Sequence, residues 1–293
     1  MFERLLFCRH LRLYQMSETK KEFDVFKGLL SGNQVNTLDS TILIEGVQAH
    51  ALEQLGRASD LYLLHDGCDI RKVHSDKMEH LGDVLSLKKQ VISGYQTMNC
   101  VAVSADKQTV SLLNHQTYSN QHPDFVKQKA IQEGHPLSEE TVNTSILYQK
   151  QISEVSQLLK SANPSVKLCH ISDREFDGDN YFEHIVNQGD DFVTRLKLSR
   201  LSNQRKVIYT PKGKVSKRVV YEKLVDSKFA HRTDYELSKI TIKSKTYQKV
   251  SAVIEWDKLT LGGQTYSVVK IQLLQGRKPL FQNDKTAILD LVR

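Results

Sequence analysis

Two aspartates follow short apolar runs far apart in the chain: Asp66 after Leu61-Tyr-Leu-Leu-His, and Asp173 after Val166-Lys-Leu-Cys-His-Ile-Ser. If both runs are strands of one sheet, their ends can bring two carboxylates together. Such a pair suits a hard divalent cation, Mg²⁺ or Mn²⁺, which takes oxygen ligands, keeps several waters and shares its remaining positions with phosphate oxygens. Two such ions about 3.5–4 Å apart serve both the attacking and the leaving oxygen of a phosphodiester. The plainer reading of the same residues is a strand-end carboxylate that caps the turn or helix behind it.

Other chemistry is less well supported. His65, His74 and His80 match no zinc-ligand spacing. Cys68 has no base tied to it by sequence and reads as a small buried residue. The four cysteines, Cys8, Cys68, Cys100 and Cys169, form no Cys-x-x-Cys pair, which argues against a disulfide framework and for a reducing cytosol. Trp256, with Ile254 and Tyr266, reads as core of a late β segment, and Gly262-Gly263 as a hairpin turn.

The elements that must position these groups follow from periodicity. Residues 3–56 carry a helical apolar pattern broken at Ser31-Gly-Asn. Residues 61–66 read as a buried strand, followed by strands near 91–95, 99–104 and 109–118 in an antiparallel meander. Residues 119–140 are polar and read as irregular connection. A helix over 141–160 stops at Asn163-Pro164, a strand runs over 166–173, and a helix at 178–188 and a strand at 191–197 complete an α/β core.

At 293 residues and 39% hydrophobic, the chain is long enough for one large domain or two ordinary ones, and no apolar run reaches the length of a membrane helix. Its opening residues are interrupted by charge too early for a signal peptide, so a cytoplasmic location is expected. The net charge of +7 is localised. Residues 200–249 hold 14 Lys and Arg against only Glu222, Asp226, Asp234 and Glu236. Alternation over 218–225 and 237–245 places apolar residues inward and lysines outward, giving one basic sheet face able to neutralise phosphates. A solvated sheet surface would read the same way.

The wording around the second acid, Ser172-Asp173-Arg174-Glu175, followed by Phe192-Val-Thr-Arg195, resembles the Asp-Arg-Glu block and Phe-x-x-Arg strand of the DDE transposases of the insertion-sequence-four type. His65-Asp66, Ser93-Gly94-Tyr95, Val101-Ala-Val-Ser and Leu112-Leu-Asn-His-Gln116 follow the same order, and the likeness covers about residues 60 to 290. It implies an α/β fold: an RNase H-like mixed sheet with flanking helices, interrupted by a basic β-rich insertion and preceded by a small helical region. The corresponding boundaries are 1–58 helical, 59–198 catalytic core, 199–276 insertion and 277–293 a remnant leading to a further helix.

The resemblance makes Asp66 and Asp173 catalytic, metal-holding carboxylates for Mg²⁺ or Mn²⁺. Gly67-Cys68 stands where the family usually has Thr or Ser, so Asp69 competes with Asp66 for the first role. Double-stranded DNA, both transposon ends and target, is the implied partner, with a homodimer on DNA as the candidate assembly and a nucleoid-associated location. Arg174, Arg195, Lys212, Lys214, Lys217, Arg218, Lys243 and Lys245 are the expected phosphate contacts. The family's third acid, in a Tyr-x-x-Arg-x-x-x-Glu motif, does not occur before Arg293, and neither Glu175 nor Glu183 is an obvious substitute. The expectation is therefore a truncated transposase that binds DNA but is deficient in catalysis. A non-catalytic DNA-binding or inhibitory protein is the rival, and a self-sufficient RNase H-like nuclease comes third.

Overall fold

The computed structural model describes residues 40–74, 78–86, 88–138, 140–197, 201–208, 218–223, 228–242, 245–261, 264–276, 278–280 and 287–292. Helix α1 (Ser40–Leu55) leads into β1 (Asp60–Arg71), β2 (Gly82–Leu85), β3 (Val91–Ser104) and β4 (Val110–Tyr118). A short helix α2 (Gln128–Gln132) and the long α3 (Thr144–Ala162) follow, then β5 (Lys167–Ser172), a 3₁₀ turn (Arg174–Phe176), α4 (Asp179–Asn187) and β6 (Asp191–Arg195). The remainder is β: β7 (Leu201–Ile208), β8 (Arg218–Lys223), β9 (His231–Ile242), β10 (Lys245–Leu261), β11 (Gln264–Gln275), β12 (Lys278–Pro279) and β13 (Ala287–Val292).

Among the described residues, eleven strands form one mixed sheet in the order β2-β3-β1-β5-β6-β13-β11-β10-β9, with β4 also on β3 and β12 on β11, while β7 and β8 pair separately. Strands β1, β3 and β4 are an antiparallel meander, and β5 and β6 add in parallel. A parallel neighbour requires a crossover, which α3 and α4 supply. The architecture is a mixed α/β sheet with flanking helices.

Helix α3 shows why the sequence folds this way locally. Asn143 caps it, its side chain accepting from Ser145 N at 2.9 Å, and the chain turns away at Asn163 before Pro164. Its buried residues Tyr148, Gln151, Ile152, Val155, Ser156 and Leu159 recur every three or four positions, a single stripe facing the sheet. Val155 and Leu159 join Ala51 and Leu55 of α1 over Leu61, Leu63 and Leu168, so both helices cover the same sheet face. Around α4, Phe182 and Phe192 stack with centroids 5.1 Å apart and bring Tyr266 of β11 into the same core.

Several elements differ from the sequence expectations. β1 is buried on one face only, with Tyr62 37% and Leu64 39% exposed on the other. It does not end at Asp66 but runs to Arg71, because β3 continues to pair with it as far as Gly94. The two runs at 91–95 and 99–104 are one strand, β3, flanked on both sides. Gly94 is where β1 and β2 both press on β3, and a Cβ there would strike Ile70 O and Val84. Part of the polar 119–140 connection is helical as α2. Residues 287–292, within the expected remnant, form β13 between β6 and β11 and thereby join the late strands to the core sheet. The expected helical residues 1–39 lie outside the described residues.

Candidate functional site

The parallel ladder between β1 and β5 ends at the pair His65 and Ser172. Asp66 continues β1, while Asp173 is the first residue beyond β5 and caps the turn that follows. The two acids thus stand one residue past the last pair of the ladder, at the point where β1 and β5 part. Their neighbours His65 and Ser172 are buried, whereas Asp66 and Asp173 are exposed.

Asp173 is also a cap: its Oδ1 accepts from Glu175 N at 2.8 Å and closes the 3₁₀ turn. The turn carries Glu175 back toward β1, where a Cβ on Gly67 would sit 3.2 Å from Glu175 Oε2 and 3.6 Å from the Tyr148 hydroxyl. Tyr148 OH donates to Glu175 Oε2 at 3.5 Å. Burial, followed by the charges of Asp173, Asp66 and Asp69, holds the Glu175 carboxyl above its ordinary range. Three other carboxyl groups thus act on Glu175, and Asp69 remains a competitor to Asp66 as the first acid. The donors are hard oxygens, the chemistry that Mg²⁺ or Mn²⁺ requires. Among the described residues, however, no three His, Cys, Asp or Glu side chains converge closely enough to hold an ion.

Cys68 is exposed, not buried as expected, because it continues the outward alternation of Asp66 beyond the end of β5. Its thiol donates to Asp66 Oδ2 at 3.7 Å, and desolvation followed by the Asp66 charge pushes its pKa up, which opposes thiolate formation.

Behind the acids lies a buried polar chain. His65 Nε2 and His170 Nδ1 are 2.8 Å apart, with the rings stacked at 5.1 Å. His170 Nε2 lies 3.3 Å from Asp190 Oδ2. Gln151 Oε1 lies 3.1 Å from His65 Nδ1, Ser156 Oγ donates to Asp190 Oδ2 at 2.7 Å, and Lys160 Nζ reaches Asp190 Oδ1 at 2.5 Å. Burial, then the neighbouring His170, pulls His65 down to about 3, and burial also lowers His170, against the raising effect of Asp190. Burial works against ionisation of Asp190, but bonds from His170, Lys160 and Ser156 outweigh it and hold its pKa below the usual value. The sequence analysis passed over this chain. The available signal was parity: His65 and His170 stand at the inward positions of strands otherwise filled by Leu61, Leu63 and Leu168.

The expected phosphate contacts are scattered. Arg195 Nε lies 3.6 Å from Asp290 Oδ1 on β13, an ion pair, and Arg174 Nε is buried without a hydrogen-bond partner. Lys212, Lys214, Lys217 and Lys243 lie outside the described residues, and of Arg218 only the backbone position in β8 is described. Lys245 is exposed, its ammonium 5.3 Å from the Tyr247 ring. The run 237–245 is not one strand but two, since Lys245 pairs back against Ile242 while Lys239 pairs with Gln248. Lys239 and Lys245 therefore project from opposite faces of the hairpin. Trp256 is 37% exposed on the face opposite buried Leu259, stacked on His231, which corrects its reading as core.

Among the described residues no helix is long and apolar enough to cross a membrane. No family model and no curated protein matches the chain. Among solved structures it is similar to a pre-cleavage Mos1 transpososome, at 11% identity and a TM-score of 0.24, over 65% of this chain. The match spans 57% of the length of that transpososome chain.

Proposed function

We propose that the chain is a DNA-handling protein of the DDE transposase type, in which Asp66 and Asp173 hold Mg²⁺ or Mn²⁺ and the basic late strands approach the phosphate backbone. The observation that carries this reading is the end of the β1–β5 ladder, where each strand is followed by an exposed acid one residue past the last pair. The mutual field registered at Glu175 supports it, because acidic groups crowded together are relieved by a cation. Such an ion, when bound, supplies a Lewis acid for phosphodiester cleavage and strand transfer. The chain's own residues do the rest: the two acids anchor, Asp173 holds its turn, and exposed Lys239, Lys245 and Lys249 offer charge to a backbone.

The rival is a DNA-binding protein without chemistry, favoured by the lack of a converging third ligand among the described residues. Mn²⁺ titration followed by electron paramagnetic resonance separates the two, using wild type and Asp173→Asn. Saturable binding lost in the variant supports the metal site, and Mn²⁺-dependent DNA nicking lost with it supports the enzyme. Equal behaviour of the two proteins in both assays leaves the binding protein.

A further inference from the structure

We propose that His65 and His170 are positioning residues whose buried hydrogen bond sets the relative placement of Asp66 and Asp173. The two imidazoles, 4% and 0% exposed, are joined at 2.8 Å across adjacent parallel strands, on the last rungs before those strands separate. Each ring is anchored at its far side: His65 by Gln151 of α3, and His170 by Asp190, which Ser156 and Lys160 of α3 hold in turn. The connection therefore fixes β1, β5, α3 and the residue before β6 as one body beneath the acids.

The physical argument concerns register. A strand slipped by two residues keeps the same face buried, so Leu61 and Leu63 over Leu168 do not by themselves reject the slip. His65 pairs with Ser172 and His170 with Leu63, so the imidazole bond runs diagonally across the ladder. A slip that carries the rings further apart leaves both imidazoles buried and unpaired. A slip the other way, onto one rung, pulls His170 from Asp190 or His65 from Gln151, which hold the rings on their far sides. An apolar pair would fill the same space without that selectivity, and specifying one arrangement is the best-attested use of buried polar groups. Asp66 and Asp173 each follow the last pair of the ladder, His65 and Ser172, so an offset in β5 would carry Asp173 away from Asp66.

The value of this placement as a metal site rests on the proposed function, and the test keeps the two separable. His65→Leu, His170→Leu, the double Leu variant and His170→Asn are compared with wild type. Two readouts are used: backbone Overhauser cross-peaks between residues 65–66 and 172–173 in metal-free protein, and Mn²⁺ affinity. The double Leu variant should stay folded, keep the cross-peaks between residues 61 and 168, and lose those at 65–66. Its Mn²⁺ affinity should fall at least tenfold. His170→Asn, whose side-chain amide carries both a donor and an acceptor for His65, should recover affinity to within about threefold of wild type. Retained cross-peaks at 65–66 in the double variant overturn the positioning role whether or not metal binds. Wild type that binds no Mn²⁺ while the double variant still loses the cross-peaks overturns the metal reading and leaves the register pin standing.

Discussion

The first half of the sheet and its last strands solve the same problem with different means. From β1 to β6 the strands are covered on one face by α1 and α3, and the charges under that cover, Asp190 with His170 and Lys160, are bonded to one another out of water. In β9 to β11 the strands are long antiparallel hairpins whose charges pair at or near the surface, Arg232 with Asp234 and Lys270 with Glu255. In the first region, removal of one partner strands another in a medium that cannot solvate it. In the second, water substitutes for the lost partner. The core half can therefore hold a fixed constellation, and the late half can present charge that is free to meet a flexible polyanion.

Four perturbations sharpen or break that contrast. The largest effect is expected from Phe182→Ala, which opens a cavity between Phe192 and Tyr266 and should cost about 3–5 kcal/mol in denaturant unfolding; Leu259→Ala, on the late-strand side of the same core cluster, should cost about 2 kcal/mol. Equal losses would mean that the late strands contribute to this core as much as the helix-covered half does. Asp190→Ala comes next, at about 3 kcal/mol, since it leaves His170 and Lys160 facing an apolar side chain.

Acid should then act on the core half first. The folded pKa values of His65 and His170 are both lowered, so their contribution is complete above the unfolded value near 6.5 and declines as pH falls below it, by up to about 1.4 kcal/mol per pH unit for each ring. Asp190, also lowered, adds a further loss only below about pH 4. Unfolding midpoints measured from pH 7 to 5 should drop in wild type and flatten in the double variant His65→Leu with His170→Leu, and parallel slopes would remove the two rings as the cause. The smallest effect on stability belongs to Lys239→Gln with Lys249→Gln, both exposed, whose melting should match wild type. If the late strands meet DNA, the log-log salt slope of binding should nevertheless fall by about two. An unchanged slope would move the DNA face elsewhere.

Much of the fold was legible because local chemistry is legible. Asn143 and Pro164 bracket α3, and the apolar stripe between them has one possible partner, a sheet face. The alternation in β1 and β5 gives strands, and Leu261 pairs with Gln264 on either side of Gly262-Gly263, which lie outside the described residues. Misreadings came where the answer lay in a neighbour. Nothing within residues 61–71 says that β3 stays beside β1 after β5 has left, and that departure is what exposes Cys68. The reversal between Ile242 and Lys245 is equally silent in a run whose lysines and isoleucines fit one continuous strand. At the site, the acids were legible as residue types after apolar runs, while the imidazole bond joining positions 105 apart in the chain was not.

The sequence by itself determined which segments are helical or extended, which side of each is apolar, and where acidic and basic residues are concentrated, because these follow from the periodicity and charge of contiguous residues. Only the tertiary structure decided that Asp66 and Asp173 both follow the last pair of one ladder, that His65 meets His170 beside it, and that Lys239 and Lys245 part to opposite sides of a hairpin. Those outcomes depend on strand order and register, which are set by the packing of distant segments and leave no trace in any one of them.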